Sequence, residues 1–147
     1  MSKMGREIIN PPGLPEPHGC NHGLLTTGGR LLFLAGQDAS DGEGRIVAPG
    51  DMLAQCRQVL YNLHAVVHEA GGVMGDIVKL NVYVTSRDAY LAQLKSLGKL
   101  FREYFGGYYP AMALFEVAGL FQPDAMIEME GFAVLGVDTG ADVEEQG

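Results

Sequence analysis

The sequence predicts an α+β domain in the order β-β-α-β-α-β-β, with a mixed sheet and both helices on one of its faces. Two segments, 51–70 and 88–105, repeat apolar residues every third or fourth position, the spacing of an amphipathic helix. Two others, 77–85 and 126–135, alternate with period two, as half-buried strands do. Strand and helix periods alternate only in the middle of the chain, which argues for a mixed sheet rather than a doubly wound parallel one.

The elements follow in order. The stretch NPPGLPEPHGCNHG, Asn10 to Gly23, is too rich in Pro and Gly for a helix or a central strand, and it carries His18 and His22. LLTT and LLFLAGQ, separated by GGR, lie around Gly28-Gly29 and read as a β-hairpin. Asp51 is placed to cap the first helix, which buries Leu53, Cys56, Leu60, Leu63 and Val67 and ends at Gly71-Gly72. In IVKLNVYVT, Val78, Leu80, Val82 and Val84 face one way, and Ile77, Lys79, Asn81, Tyr83 and Thr85 the other. The second helix runs from Asp88 to Phe105 on a stripe of Tyr90, Leu94, Leu97, Phe101 and Tyr104 or Phe105, and Gly106-Gly107 stops it. Ala111–Ala118 and Met126–Leu135 read as a closing hairpin. Residues 1–136 are expected to form one domain, with 137–147 an acidic, frayed tail.

A chain of 147 residues has the size of a single domain with a core of its own, and 47% hydrophobic with 19% charged residues is a globular composition. The net charge of −8, the isoelectric point near 4.8 and the scattered Lys and Arg argue against a nucleic-acid partner, which requires clustered positive charge. No apolar run is long enough to span a membrane, and MSKMGREIIN lacks the apolar stretch of a signal peptide. Cys20 and Cys56 form no disulfide framework and no metal or redox spacing. The expectation is a cytoplasmic protein with reduced thiols and no membrane partner.

The last strand is the segment richest in chemistry. Ile127, Met129, Gly131, Ala133 and Leu135 form an apolar face for the helices, while Glu128, Glu130, Phe132 and Val134 share the opposite face. A face half acidic and half apolar suits a subunit interface with a wet cleft at one end; two solvated glutamates of an antiparallel sheet are the competing reading. His18 and His22 lie in a loop without a third ligand, and His64 and His68 sit at the rim of the first helix without the H-E-x-x-H pattern, so no metal is expected. There is no G-x-S-x-G elbow, no glycine-rich phosphate loop and no cysteine with a recognisable His partner, so neither nucleophilic catalysis nor nucleotide binding is supported.

LLFLAGQ, QCRQVLYNLHAVVHEAGGVMGDIVKLNVYVT, YYPAMALFEVAGL and MIEMEGFAVL together resemble the RidA (YjgF, or L-PSP) family, over Pro12 to Leu135. The resemblance implies a chorismate-mutase-like fold, a homotrimer whose sheets build a central barrel, and small-molecule clefts between subunits. It implies hydrolysis of reactive enamines and imines such as 2-aminoacrylate to a 2-keto acid and ammonia, with no metal or organic cofactor. The family's catalytic glutamate corresponds to Glu128. The substrate-binding positions correspond to His18, Ala35, Gly36, Met112 and Ala113, and a cleft Asn falls near Gly98. Deaminating members have Pro-Ala-Arg and then a small polar residue where this chain has Pro110-Ala111-Met112-Ala113, and Ser-Gly-Gln where it has Ala35-Gly36-Gln37. The missing Arg and Ser imply an imine or enamine other than 2-aminoacrylate. The alternative is a trimer that binds a metabolite or partner without chemistry. RNA cleavage or translation inhibition, attached to some members, fits the acidic charge least.

Overall fold

The computed structural model of the protein describes residues 5–137. They form β1 (Gly5–Ile9), β2 (Gly23–Thr27), β3 (Arg30–Gln37), α1 (Met52–Glu69), β4 (Ile77–Val84), α2 (Arg87–Ala92), α3 (Leu94–Phe105), β5 (Ala111–Glu116) and β6 (Ile127–Leu135), with one 3-10 turn over Met74–Asp76. The acidic tail, from residue 138 on, lies outside the described residues.

The α+β class, the mixed sheet and the helices on one face are as the sequence predicts. The strand pairings at both ends are not. Four strands make the main sheet in the order β3-β6-β4-β5, with β4–β5 parallel and the other pairs antiparallel. The segment expected to form a closing hairpin therefore has β4 lying between its two strands. Nor do β2 and β3 pair: β2 joins β1, a strand missed in the sequence, in a separate two-stranded sheet. The Gly28-Gly29 turn explains this. Both glycines have φ +81°, and a Cβ at Gly29 would lie 2.6 Å from the Leu135 carbonyl oxygen and 2.8 Å from Val134. The turn thus packs on the end of β6, which takes β3 as its neighbour from Arg30↔Leu135 onward, and β2 is left to pair elsewhere.

The helices follow from their caps. The Asp51 side chain accepts the Ala54 N–H at 3.0 Å at the start of α1. At its end Gly71, with φ +87°, lets the Gly72 N–H reach the Val67 carbonyl at 2.9 Å and the Gly71 N–H reach that of His68 at 2.9 Å, a Schellman closure. The second helix is two helices. Gln93, at φ −119° and ψ 24°, leaves the helical region and turns the apolar stripe of α3 relative to that of α2. Leu94, expected on the buried stripe, is consequently 54% exposed, and Leu97, Leu100, Phe101 and Phe105 enter the core.

The core lies between these helices and one sheet face, where Leu34, Leu80, Val82, Val84, Ile127, Met129, Ala133 and Leu135 meet Cys56, Leu60, Leu63 and Val67. Ile77 also points inward, against the expected alternation, because the β4–β6 register slips between Ile77 and Lys79. A fully buried amide fastens this core to β6. Gln55 donates to the carbonyls of Asp124 at 3.0 Å and Ala48 at 3.3 Å, and its Oε1 accepts the Met126 N–H at 2.8 Å. The strand that carries Glu128 therefore starts from a fixed point.

Candidate active site

The sheet face away from the helices is uncovered by the described residues. Leu31 and Phe33 on β3 are 57% and 69% exposed, and Phe33 meets Phe132 edge to face at 5.4 Å. Towards the other end this face becomes acidic. Glu128 is paired in register with Tyr83 and Glu130 with Asn81. Tyr83 donates its hydroxyl to Glu130 Oε2 at 2.5 Å and stacks on Phe115 of β5 at 5.4 Å.

Glu128 faces a bulge. Leu34 pairs with Gly131 and Gln37 with Met129, so β3 holds one extra residue around Ala35-Gly36. A Cβ at Gly36 would collide with Glu128 Oε2, so only glycine leaves the carboxylate its place. The bulge is anchored from α1: Asn62 donates to the carbonyls of Asp38 at 3.0 Å and Ser40 at 2.9 Å, and Gln58 holds the Asn62 amide at 2.9 Å. Partial burial, followed by the charges of Asp38 and Glu130, raises the Glu128 carboxyl above the ordinary glutamate range. Such a group takes up and releases a proton more readily near neutrality than an exposed glutamate does.

On the helix side a second cavity, about 520 Å³, opens beside β5. His18 and Cys20 of the N-terminal loop, Leu97, Gly98, Phe101 and Arg102 of α3, and Met112 and Leu114 of β5 line it. Asn21 fixes the loop, its backbone N–H bonding the Pro110 carbonyl at 3.2 Å and its side chain that of Tyr109 at 2.7 Å. His22 bonds the Pro15 carbonyl at 2.7 Å, so it ties the loop to itself rather than facing His18 as a ligand pair. Among the described residues no group of three His, Cys, Asp or Glu is placed to hold a metal ion. Cys56 is buried and its thiol is pushed up to about 12 by desolvation, which leaves it inert as a nucleophile.

The residues singled out from the sequence thus divide into two groups. His18, Gly98 and Met112 share the helix-side cavity. Gly36 touches Glu128, and Ala35 lies with Asn81 and Glu130 in a smaller hollow of about 310 Å³ on the open face. Ala113, in register with Asn81, alternates away from Met112 and falls with the second group. The sheet separates Glu128 from Met112, so one chain does not bring them together. Asp38, Tyr83 and Arg102 were not found by sequence reasoning. Tyr83 shows there only as part of a mixed strand face, and Arg102 only as a cation four residues after Gly98.

Residues 21–135 match the model of a family described as endoribonuclease L-PSP. The chain belongs to the L-PSP family. It is similar to a RutC family protein of Pyrococcus abyssi, 33% identical over 88% of this chain and 98% of the relative. Among solved structures it is similar to YyfB of the Rid family from Yersinia pestis, with 36% identity, a TM-score of 0.79, and coverage of 90% of this chain and 100% of that one. It also resembles Escherichia coli TdcF, solved with bound serine, at 30% identity and a TM-score of 0.64 over 92% of this chain and 100% of that one. The mixed sheet and its helix layer are therefore the Rid and YjgF fold that the sequence resemblance implies.

Proposed function

We infer that this L-PSP family protein is a cofactor-free hydrolase that releases ammonia from an imine or enamine with an apolar body. The observation that carries the reading is Glu128, a carboxyl held against Gly36 at the β3 bulge and shifted towards neutrality. As carboxylate it takes a proton from water while the water oxygen bonds to the C=N carbon, and it passes that proton to nitrogen, giving a carbinolamine. It then carries the carbinolamine hydroxyl proton to nitrogen as the C=O bond forms and the C–N bond breaks. Water and substrate give carbonyl compound and ammonia, so the balance needs no electron carrier.

The substrate sits in a cleft completed by a second chain of a trimer, with Glu128 from one chain facing the Met112 cavity of the next. The assembly is supported by the sheet between those groups and by the exposed Leu31, Phe33 and Phe132, an apolar patch of the kind that marks an interface. Met112 and Leu114 make the cleft wall apolar, which suits a substrate without a carboxylate at that end. A second reading, capture of a metabolite without chemistry, is favoured by TdcF, whose structure holds serine. The family description names an endoribonuclease, but the charge of −8 without a basic run opposes contact with a phosphate backbone.

The test is ammonia release from imines generated in place, 2-aminoacrylate from serine and the imine of leucine from an amino-acid oxidase. The expected result is acceleration of the leucine imine over its spontaneous hydrolysis, and greater acceleration than of 2-aminoacrylate. Release at the spontaneous rate from both leaves the binding reading in its place.

A further inference from the structure

The helix-side cavity is mostly apolar, with Cys20, Tyr90, Tyr109, His18 and Arg102 as its polar side chains, and Arg102 is its only side chain with a fixed charge. Arg102 follows Gly98 by four residues, one turn along α3 on the same face. An added Cβ at Gly98 would have one near neighbour, Arg102 Nη1 at 3.9 Å, so the guanidinium lies over the space left by the missing side chain. Of the other exposed arginines, Arg57 meets Glu103 at 3.2 Å and Arg45 meets Asp41 and Glu43, while the side chains of Arg30 and Arg87 lack a carboxylate partner among the described residues but do not line the cavity. Among the described residues Arg102 has no carboxylate partner, and no carboxylate lines the cavity. An unpaired guanidinium at an apolar cavity, in a chain of net charge −8, is suited to a single anion with an apolar body.

We propose that Arg102 is the anion anchor of this cavity and that its ligand is a small monocarboxylate with a branched apolar side chain, the 2-keto or 2-imino acid of a leucine-like amino acid. The carboxylate meets Arg102 from α3 instead of an arginine on β5, and the side chain lies on Met112, Leu114 and Leu97. This rests on the reading that the cavity is the substrate cleft, and it supplies the specificity of that cleft. The reversed anchor explains how a cleft with Met112 in place of Arg holds an acid, in the orientation that leaves the apolar end at β5.

Calorimetric binding of the 2-keto acid of leucine tests it, because no chemical step is needed. The wild-type protein is expected to bind this acid at least tenfold more tightly than its uncharged amide and more tightly than pyruvate. Arg102→Gln is expected to weaken the acid by about 10- to 100-fold, the loss of a charge-assisted bond, and leave the amide unchanged. Arg102→Lys should recover part of the loss. Arg102 is exposed, so the variant is expected to fold, and unchanged circular dichroism checks this. Equal binding of acid and amide by the wild type, no binding of either, or an Arg102→Gln affinity equal to wild type would overturn the proposal. Tight, Arg102-dependent binding without ammonia release would refute the hydrolase reading and leave this one standing.

Discussion

Glu128→Gln is expected to lower ammonia release by about 10²–10⁴-fold, the usual contribution of a positioned acid–base group. The amide keeps the shape that fits against Gly36 but neither takes nor returns a proton. The pH profile carries the same assignment. Burial, Asp38 and Glu130 raise the Glu128 carboxyl, and the reaction begins from its ionised form, so the rate should fall as pH drops through a value above the ordinary glutamate range. Stability changes in the opposite sense. The folded chain binds this proton more tightly than the unfolded chain, so ionising Glu128 on raising the pH costs stability. Glu128→Gln should then be no less stable than wild type at neutral pH, which separates lost chemistry from lost fold. An activity within twofold of wild type would remove Glu128 from the mechanism.

Met112→Arg should raise hydrolysis of 2-aminoacrylate by up to about two to three decades. A bidentate guanidinium–carboxylate contact contributes roughly 3–4 kcal/mol where it is desolvated, and each 1.36 kcal/mol is about one decade of rate. The new side chain enters the cavity beside Leu114 and shares it with Arg102, so like-charge repulsion trims the gain. The same variant should lose activity on the leucine imine, whose apolar end needs the methionine surface. Initial rates on the two substrates check both halves. An unchanged substrate preference would show that Met112 does not contact the substrate.

Much of the fold was legible because local chemistry settled it. The Asp51 cap, the Gly71-Gly72 closure and the alternation that put Glu128 and Glu130 opposite Met129 and Ala133 all depend on a few neighbouring residues. Pairing between distant strands was not legible, since any of several strands satisfies the same alternation. The order β3-β6-β4-β5 is decided by close approaches such as Gly29 on β6 and Gly131 against the Lys79 carbonyl, which no periodicity reveals. The same holds for the site. Glu128 and Met112 are visible in the sequence, but that they occupy opposite faces of one sheet follows only from the register. Arg102 was missed because a lone cation on a helix reads as solvated until the cavity beneath it is seen.

The central claim is that each cleft takes Glu128 from one chain and the Met112 cavity from another. Co-refolding Glu128→Gln chains with Gly98→Trp chains tests it, since Gly98 has room for a side chain and a tryptophan there fills the cavity. Each variant alone is expected to be inactive. Random mixing in a cyclic oligomer gives about a quarter of the clefts both intact halves, so the mixture should recover about a quarter of wild-type ammonia release. A mixture no more active than its two components would contradict the account.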